Sequence, residues 1–210
     1  MAETCLLSLV TALLIFYAPM ITSSDCTAAF DKELRADEIE YNCESGTYNP
    51  LATLILNPEG NVIKALMNKS ADFAYNPLMV HFFIWYLMTI VTYGTAVPAG
   101  LFLPGILIGC SLGRILTLFI TEEGANLRPI VSSHGVQPAT YAIIGAASVL
   151  AGYSRLSFSL AVIMLETTEN VNLFLPIIFT LFISFAVGRL FNRSMYSTAL
   201  VKKSVPFLVE

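Results

Sequence analysis

Four helix-breaking residues, Gly94, Pro98, Gly100 and Pro104, fall within eleven positions of a chain otherwise suited to lipid. An apolar segment precedes them at 78–93, and an apolar helix is expected after them. Lipid offers no partner for the backbone groups such a break leaves unpaired. Interrupted helices at membrane depth therefore persist only where protein or an aqueous cavity surrounds them. In transporters they point to a binding site near the midplane.

Composition supplies the membrane context. Of 210 residues, 56% are hydrophobic and only 12% charged, and mean hydropathy is +0.71. Soluble domains carry about twice that share of charge. The net charge of −4 hides an asymmetry: residues 25–76 hold nine acids against four bases, and the remainder is slightly basic. No Lys/Arg cluster resembles a nucleic-acid surface. Enzyme chemistry finds no support either. There is no Ser/His/Asp arrangement in context, no metal-ligand spacing and no phosphate-binding loop. The Glu122-Glu123 pair reads as a solvated turn, and no cofactor is expected.

The apolar runs are uneven in length. Residues 5–22 are long enough to cross a bilayer core. A retained helix is preferred to a signal peptide, because Glu3 and no Lys or Arg precede the run. Residues 25–77 are polar, with short helices expected at Leu51–Leu56 and Val62–Met67. Gly105, Gly109 and Gly113 lie four apart, so they share one helix face and let a neighbouring helix approach closely. Residues 139–152 are small and apolar, and Tyr153-Ser154-Arg155 interrupts them. Leu156–Leu165 is too short to span alone. Residues 171–188 are another spanning candidate, and the bases Arg189, Arg193, Lys202 and Lys203 mark a cytosolic C-terminal side. The expected division is a membrane helix at 1–24, a polar non-cytosolic loop at 25–77 and a membrane core at 78–210.

Single residues carry open alternatives. His81 reads as an interfacial histidine, not a metal ligand. Glu166 reads as a capping or membrane-edge residue. Cys26 and Cys43 bracket the acidic loop and are either a disulfide or two free thiols. Asn68 heads a glycosylation sequon on the same side; Asn192 heads another that abuts an apolar helix and reads as unused.

The chemistry of the break follows from helix ends. Pro104 suits a first turn, where its missing N–H costs nothing. The N–H groups of Leu101, Phe102 and Leu103 then have no helical acceptor and carry the partial positive charge of a helix N-terminus. Gly100 lets an ion approach the backbone. The result is an anion site without a formal cation. The competing reading is an ordinary Gly/Pro helix start.

The string GLFLPGILIG, residues 100–109, resembles the G-x-F-x-P anion signature of the CLC family of chloride channels and chloride/proton exchangers. GAASVLAG, SRLSFSLAVIMLETT, FNRSMYSTAL and VPFL follow in the family's order. The acidic loop with YNPLATLIL is similar to the plant and lysosomal-type branch. This resemblance covers nearly the whole chain. It implies an all-α, polytopic membrane fold with broken and short helices, the second half of an inverted-repeat architecture. It implies that the backbone of Gly100, Leu101 and Phe102 and the hydroxyl of Tyr196 bind chloride as the transported ligand, in an endomembrane of lysosomal or vacuolar kind or in the plasma membrane. It also implies a homodimer and a complementary first half. The family's G-[KR]-E-G-P segment, with its gating glutamate, is not in this sequence, so the chain is expected to be a fragment. Channel and exchanger both remain open. So does a membrane-anchored interaction protein without transport, with the acidic loop as its surface.

Overall fold

A computed structural model of the chain describes residues 2–21, 26–28, 39–44, 47–67, 73–93, 95, 100–123, 137–156, 158–168, 171–202 and 204. Almost all of it is helical. In chain order the helices are α1 (Ala2–Ile21), α2 (Pro50–Leu56), α3 (Glu59–Met67), α4 (Tyr75–Tyr93), α5 (Phe102–Glu123), α6 (Pro138–Ser154), α7 (Phe158–Thr168), α8 (Phe174–Phe191, after a 3-10 turn at Val171–Leu173) and α9 (Met195–Lys202). Thr27–Ala28 (β1) and Thr47–Tyr48 (β2) form a two-stranded antiparallel pair.

The helices begin where local chemistry dictates. Asn49 caps α2: its side-chain oxygen accepts from Leu51 N at 3.0 Å and Ala52 N at 3.1 Å, with Pro50 in the first turn. α6 ends at Arg155, which adopts a left-handed backbone (φ 57°) and donates its N–H to Ala151 O. Both short helices expected inside the polar segment are present. They are not peripheral: Leu51 is wholly buried, and Leu54 and Leu66 are buried in the same core as α5 and α6.

The expectation for the glycine face also holds. α5 and α6 make the most extensive contact in the fold. A Cβ on Gly109 would lie 2.5 Å from Ala146 Cα and 2.7 Å from Gly145 O, and one on Gly145 would strike Gly109 O. The two backbones touch there, as lipid-embedded helices do when small residues meet. A second contact joins α6 to α8 through Gly152 and Gly188, and Ser184 Oγ donates to Ser148 O at 2.6 Å.

The reading of His81 as interfacial is corrected. The residue is fully buried, and its Nδ1 lies 2.9 Å from Ser111 Oγ. Ser111 donates its own proton to Leu107 O at 2.8 Å. It can therefore only accept from the imidazole, which fixes the Nδ1–H tautomer. One hydrogen bond thus ties α4 to α5. Arg114, mid-helix in α5, is likewise buried; its Nε donates to Leu66 O at 2.8 Å and its guanidinium lies over the Phe73 ring. A cation on the last carbonyls of α3 is where the helix dipole favours it. Among the described residues three helical stretches are long and apolar enough to cross a membrane, within Glu3–Met20, Phe102–Ile120 and Phe174–Lys202.

Candidate functional site

The break in the sequence becomes the N-terminus of α5. Gly105 N donates to Leu101 O at 3.1 Å, which closes the first turn and makes Leu101 the cap. Pro104 occupies that first turn and has no N–H to satisfy. The N–H groups of Phe102 and Leu103 have no acceptor among the described residues. Both side chains are partly exposed, and a Cβ at Gly100 would meet nothing within 4 Å. Among the described residues, then, this helix end is unscreened, the arrangement that attracts an anion. Gly94 and Pro98 lie outside the described residues, as does Asn68.

Tyr153, near the end of α6, reaches this turn from the side. Its hydroxyl donates to Leu101 O at 2.7 Å. Its ring fills the place that Gly105 leaves bare, since a Cβ there would collide with Tyr153 and Leu150. Two cavities meet at this side chain. An apolar one of about 190 Å³ has Leu101, Gly105, Ile108, Tyr153 and Met195 in its wall. The other, of about 480 Å³, is lined by Tyr153, Met195, Asn192, Arg155, Arg193 and Lys202, among others, with no carboxylate among the described residues of its wall. Tyr153 and Met195 belong to both walls.

Of the sequence-predicted residues, Leu101 lines the apolar cavity, while Gly100 and Phe102 sit exposed at the helix start. Tyr196 stands in the first turn of α9, half exposed, next to Met195. The tyrosine that touches the turn is instead Tyr153, a residue the sequence marked only as an interruption. No spacing rule flags a tyrosine one turn from a helix end as a partner for a carbonyl 52 residues away.

Arg155 follows directly on the end of α6. Its Nη2 donates to Gly188 O at 2.8 Å, a carbonyl that also accepts Asn192 N at 3.1 Å. Its Nε is buried with no partner among the described residues. Arg155 thus fastens the end of α6 to the end of α8 while lining the basic cavity. Glu166 lies exposed on α7. Far along the chain, Cys26 and Cys43 are joined by a disulfide beside the β1–β2 pair, with Cα atoms 6.0 Å apart.

Over residues 1–189 the chain matches the family model described as voltage gated chloride channel. It is 32% identical over 219 residues to the chloride channel protein CLC-d of Arabidopsis thaliana, an alignment covering 98% of this chain and 27% of that protein. It is 36% identical to chloride channel protein A of Dictyostelium discoideum, covering 81% of this chain and 19% of that protein. To the H(+)/Cl(-) exchange transporter 7 of Homo sapiens it is 33% identical, covering 98% of this chain and 25% of that protein. The chain thus spans about a quarter of the length of these relatives. Among solved structures it resembles the crystal structure of a eukaryotic CLC transporter, with a TM-score of 0.58 and 24% identity, over 96% of this chain and 34% of that one. At that identity the likeness speaks for the fold alone.

Proposed function

The chain belongs to the voltage gated chloride channel family, and we propose that it supplies one side of a chloride pathway across a lipid bilayer. The observation that carries this reading is the N-terminus of α5, where the Phe102 and Leu103 N–H groups have no acceptor among the described residues. Backbone dipoles suit transport better than a formal cation would, since the ion must bind firmly enough to leave water and weakly enough to depart. In this reading Gly100, Leu101 and Phe102 present the ion to the backbone and the Tyr196 hydroxyl makes a second contact. The remaining contacts come from a complementary membrane half outside this chain, and two such assemblies pair as a homodimer. The basic cavity and Lys202 of α9 face the cytosol. Residues 25–77 lie on the opposite side, in a lysosomal or vacuolar lumen or outside the cell, where the Cys26–Cys43 disulfide persists and Asn68 is open to glycosylation.

The test is anion flux. The chain is reconstituted in vesicles together with the N-terminal membrane half of a similar protein, and chloride efflux is followed electrically and with a chloride electrode. Tyr196→Ala is expected to alter apparent chloride affinity about 10-fold, the worth of one hydrogen bond to an ion, and Tyr196→Phe to shift chloride/nitrate preference. Unchanged rate and selectivity in both variants would remove Tyr196 from the site. Absence of flux from a folded, paired preparation would favour a membrane-anchored interaction protein instead.

A further inference from the structure

A trans peptide group holds its carbonyl and its N–H in one plane, pointing in opposite directions. Leu101 O and the Phe102 N–H belong to the same peptide, and the described backbone contains no cis bond. Whatever fixes the direction of Leu101 O therefore fixes the direction of the Phe102 N–H, which has no acceptor among the described residues. Two groups hold that carbonyl: Gly105 N from within the helix at 3.1 Å, and the Tyr153 hydroxyl from α6 at 2.7 Å. The first is common to every helix start. The second is special to this fold, and the tyrosine that makes it lies against the side-chain-free face of Gly105.

We propose that Tyr153 is a positioning residue for the anion: by holding Leu101 O from the α6 side, it turns the Phe102 N–H toward the ion and keeps it there. This rests on the proposed anion site at the start of α5. Two features of the surroundings give the role its weight. Leu101 caps its helix, and apart from Gly105 N within the helix Tyr153 alone among the described residues holds its carbonyl. Tyr153 also stands, with Met195, in the wall shared by the basic and the apolar cavities. An anion drawn by Arg155, Arg193 and Lys202 reaches the turn past this side chain. Released from Leu101, the hydroxyl would leave a carbonyl dipole free to swing toward the ion and repel it.

Tyr153→Phe separates this role from packing, because the ring over Gly105 remains and only the hydroxyl is lost. The chain is labelled with 15N-phenylalanine and placed in nanodiscs with the complementary half used for flux. The Phe102 amide is assigned by its loss in Phe102→Leu, and sodium chloride is titrated against sodium gluconate. In the wild type the Phe102 amide shift should follow chloride. In Tyr153→Phe the affinity should fall about 3- to 10-fold, the range of one lost hydrogen bond, and the amide response should shrink, with the thermal midpoint nearly unchanged. Wild-type affinity and an intact Phe102 response in a folded Tyr153→Phe would overturn the proposal and leave the anion site standing. A wild type whose other groups respond to chloride while the Phe102 amide does not would overturn it too, whatever the variant does. No chloride response at all in the wild type would instead sink the anion site itself.

Discussion

Helices α5 and α8 are nearly equal in apolarity and opposite in surroundings. Their best windows have mean hydropathies of 1.9 and 2.0, yet 56% of the first is buried inside the protein and only 11% of the second. The residues differ in size, not in polarity. α5 turns Gly109, Gly113, Cys110 and Ser111 toward its neighbours, whereas α8 displays Leu175, Phe179, Phe182, Leu190 and Phe191 outward. Between helices in lipid there is no hydrophobic driving force, because acyl chains are as apolar as leucine. Close van der Waals packing and interhelical hydrogen bonds decide which helix sits inside. Small residues gain both, and large ones are as well off against lipid. The helix that carries the candidate site is thus the one locked by backbone contact, and its N-terminus is held in place by α6.

If that contrast is right, the largest effect should come from Gly109→Leu. Its side chain would enter the α6 backbone, and we expect a loss of at least ~3 kcal/mol, the upper part of the overpacking range, or failure to assemble. Unfolding in mixed micelles with increasing SDS, followed by circular dichroism, measures it. A stable Gly109→Leu would mean that α5 and α6 are not in backbone contact.

An intermediate effect is expected at the α4–α5 tie. Ser111→Ala removes the acceptor for a fully buried imidazole N–H and should cost ~1–3 kcal/mol, the penalty for an unpaired buried donor. Adding His81→Leu removes that donor as well and should recover most of the loss. The same titration reads both, and additive losses in the double variant would show that the two side chains do not act as a pair. The smallest effect belongs to α8: Phe182→Ala, at an exposed site, should stay within ~0.5 kcal/mol. A larger loss there would show that this face is covered by protein rather than lipid.

Much of the fold was legible from residue order. The Gly/Pro break, the glycines four apart and the short helix at Leu51–Leu56 each act within one or two turns, so chain-local sterics dictate them. Leu101 and Phe102 were legible for the same reason, since a helix must begin somewhere near Pro104 and its first N–H groups must lack acceptors. His81 was misread. A histidine at the start of an apolar run looks interfacial until the partner at position 111 is known, and nothing in the intervening sequence announces it. Arg114 was passed over because a lone cation in an apolar helix becomes intelligible only with Leu66 O and the Phe73 ring beside it.

The sequence by itself determined that this chain favours lipid, that its helices break at 94–104 and that a helix end there can face an anion. These follow from hydropathy, from proline's missing N–H and from the geometry of unpaired backbone donors. Only the tertiary structure decided which of two equally apolar helices is central, and that Tyr153, 52 residues along the chain, grips Leu101. It also decided that Arg155, Arg193 and Lys202 share one cavity. Those outcomes depend on which surfaces approach within bonding distance. Hydropathy scores a residue's preference for a solvent and says nothing of the neighbour it meets there.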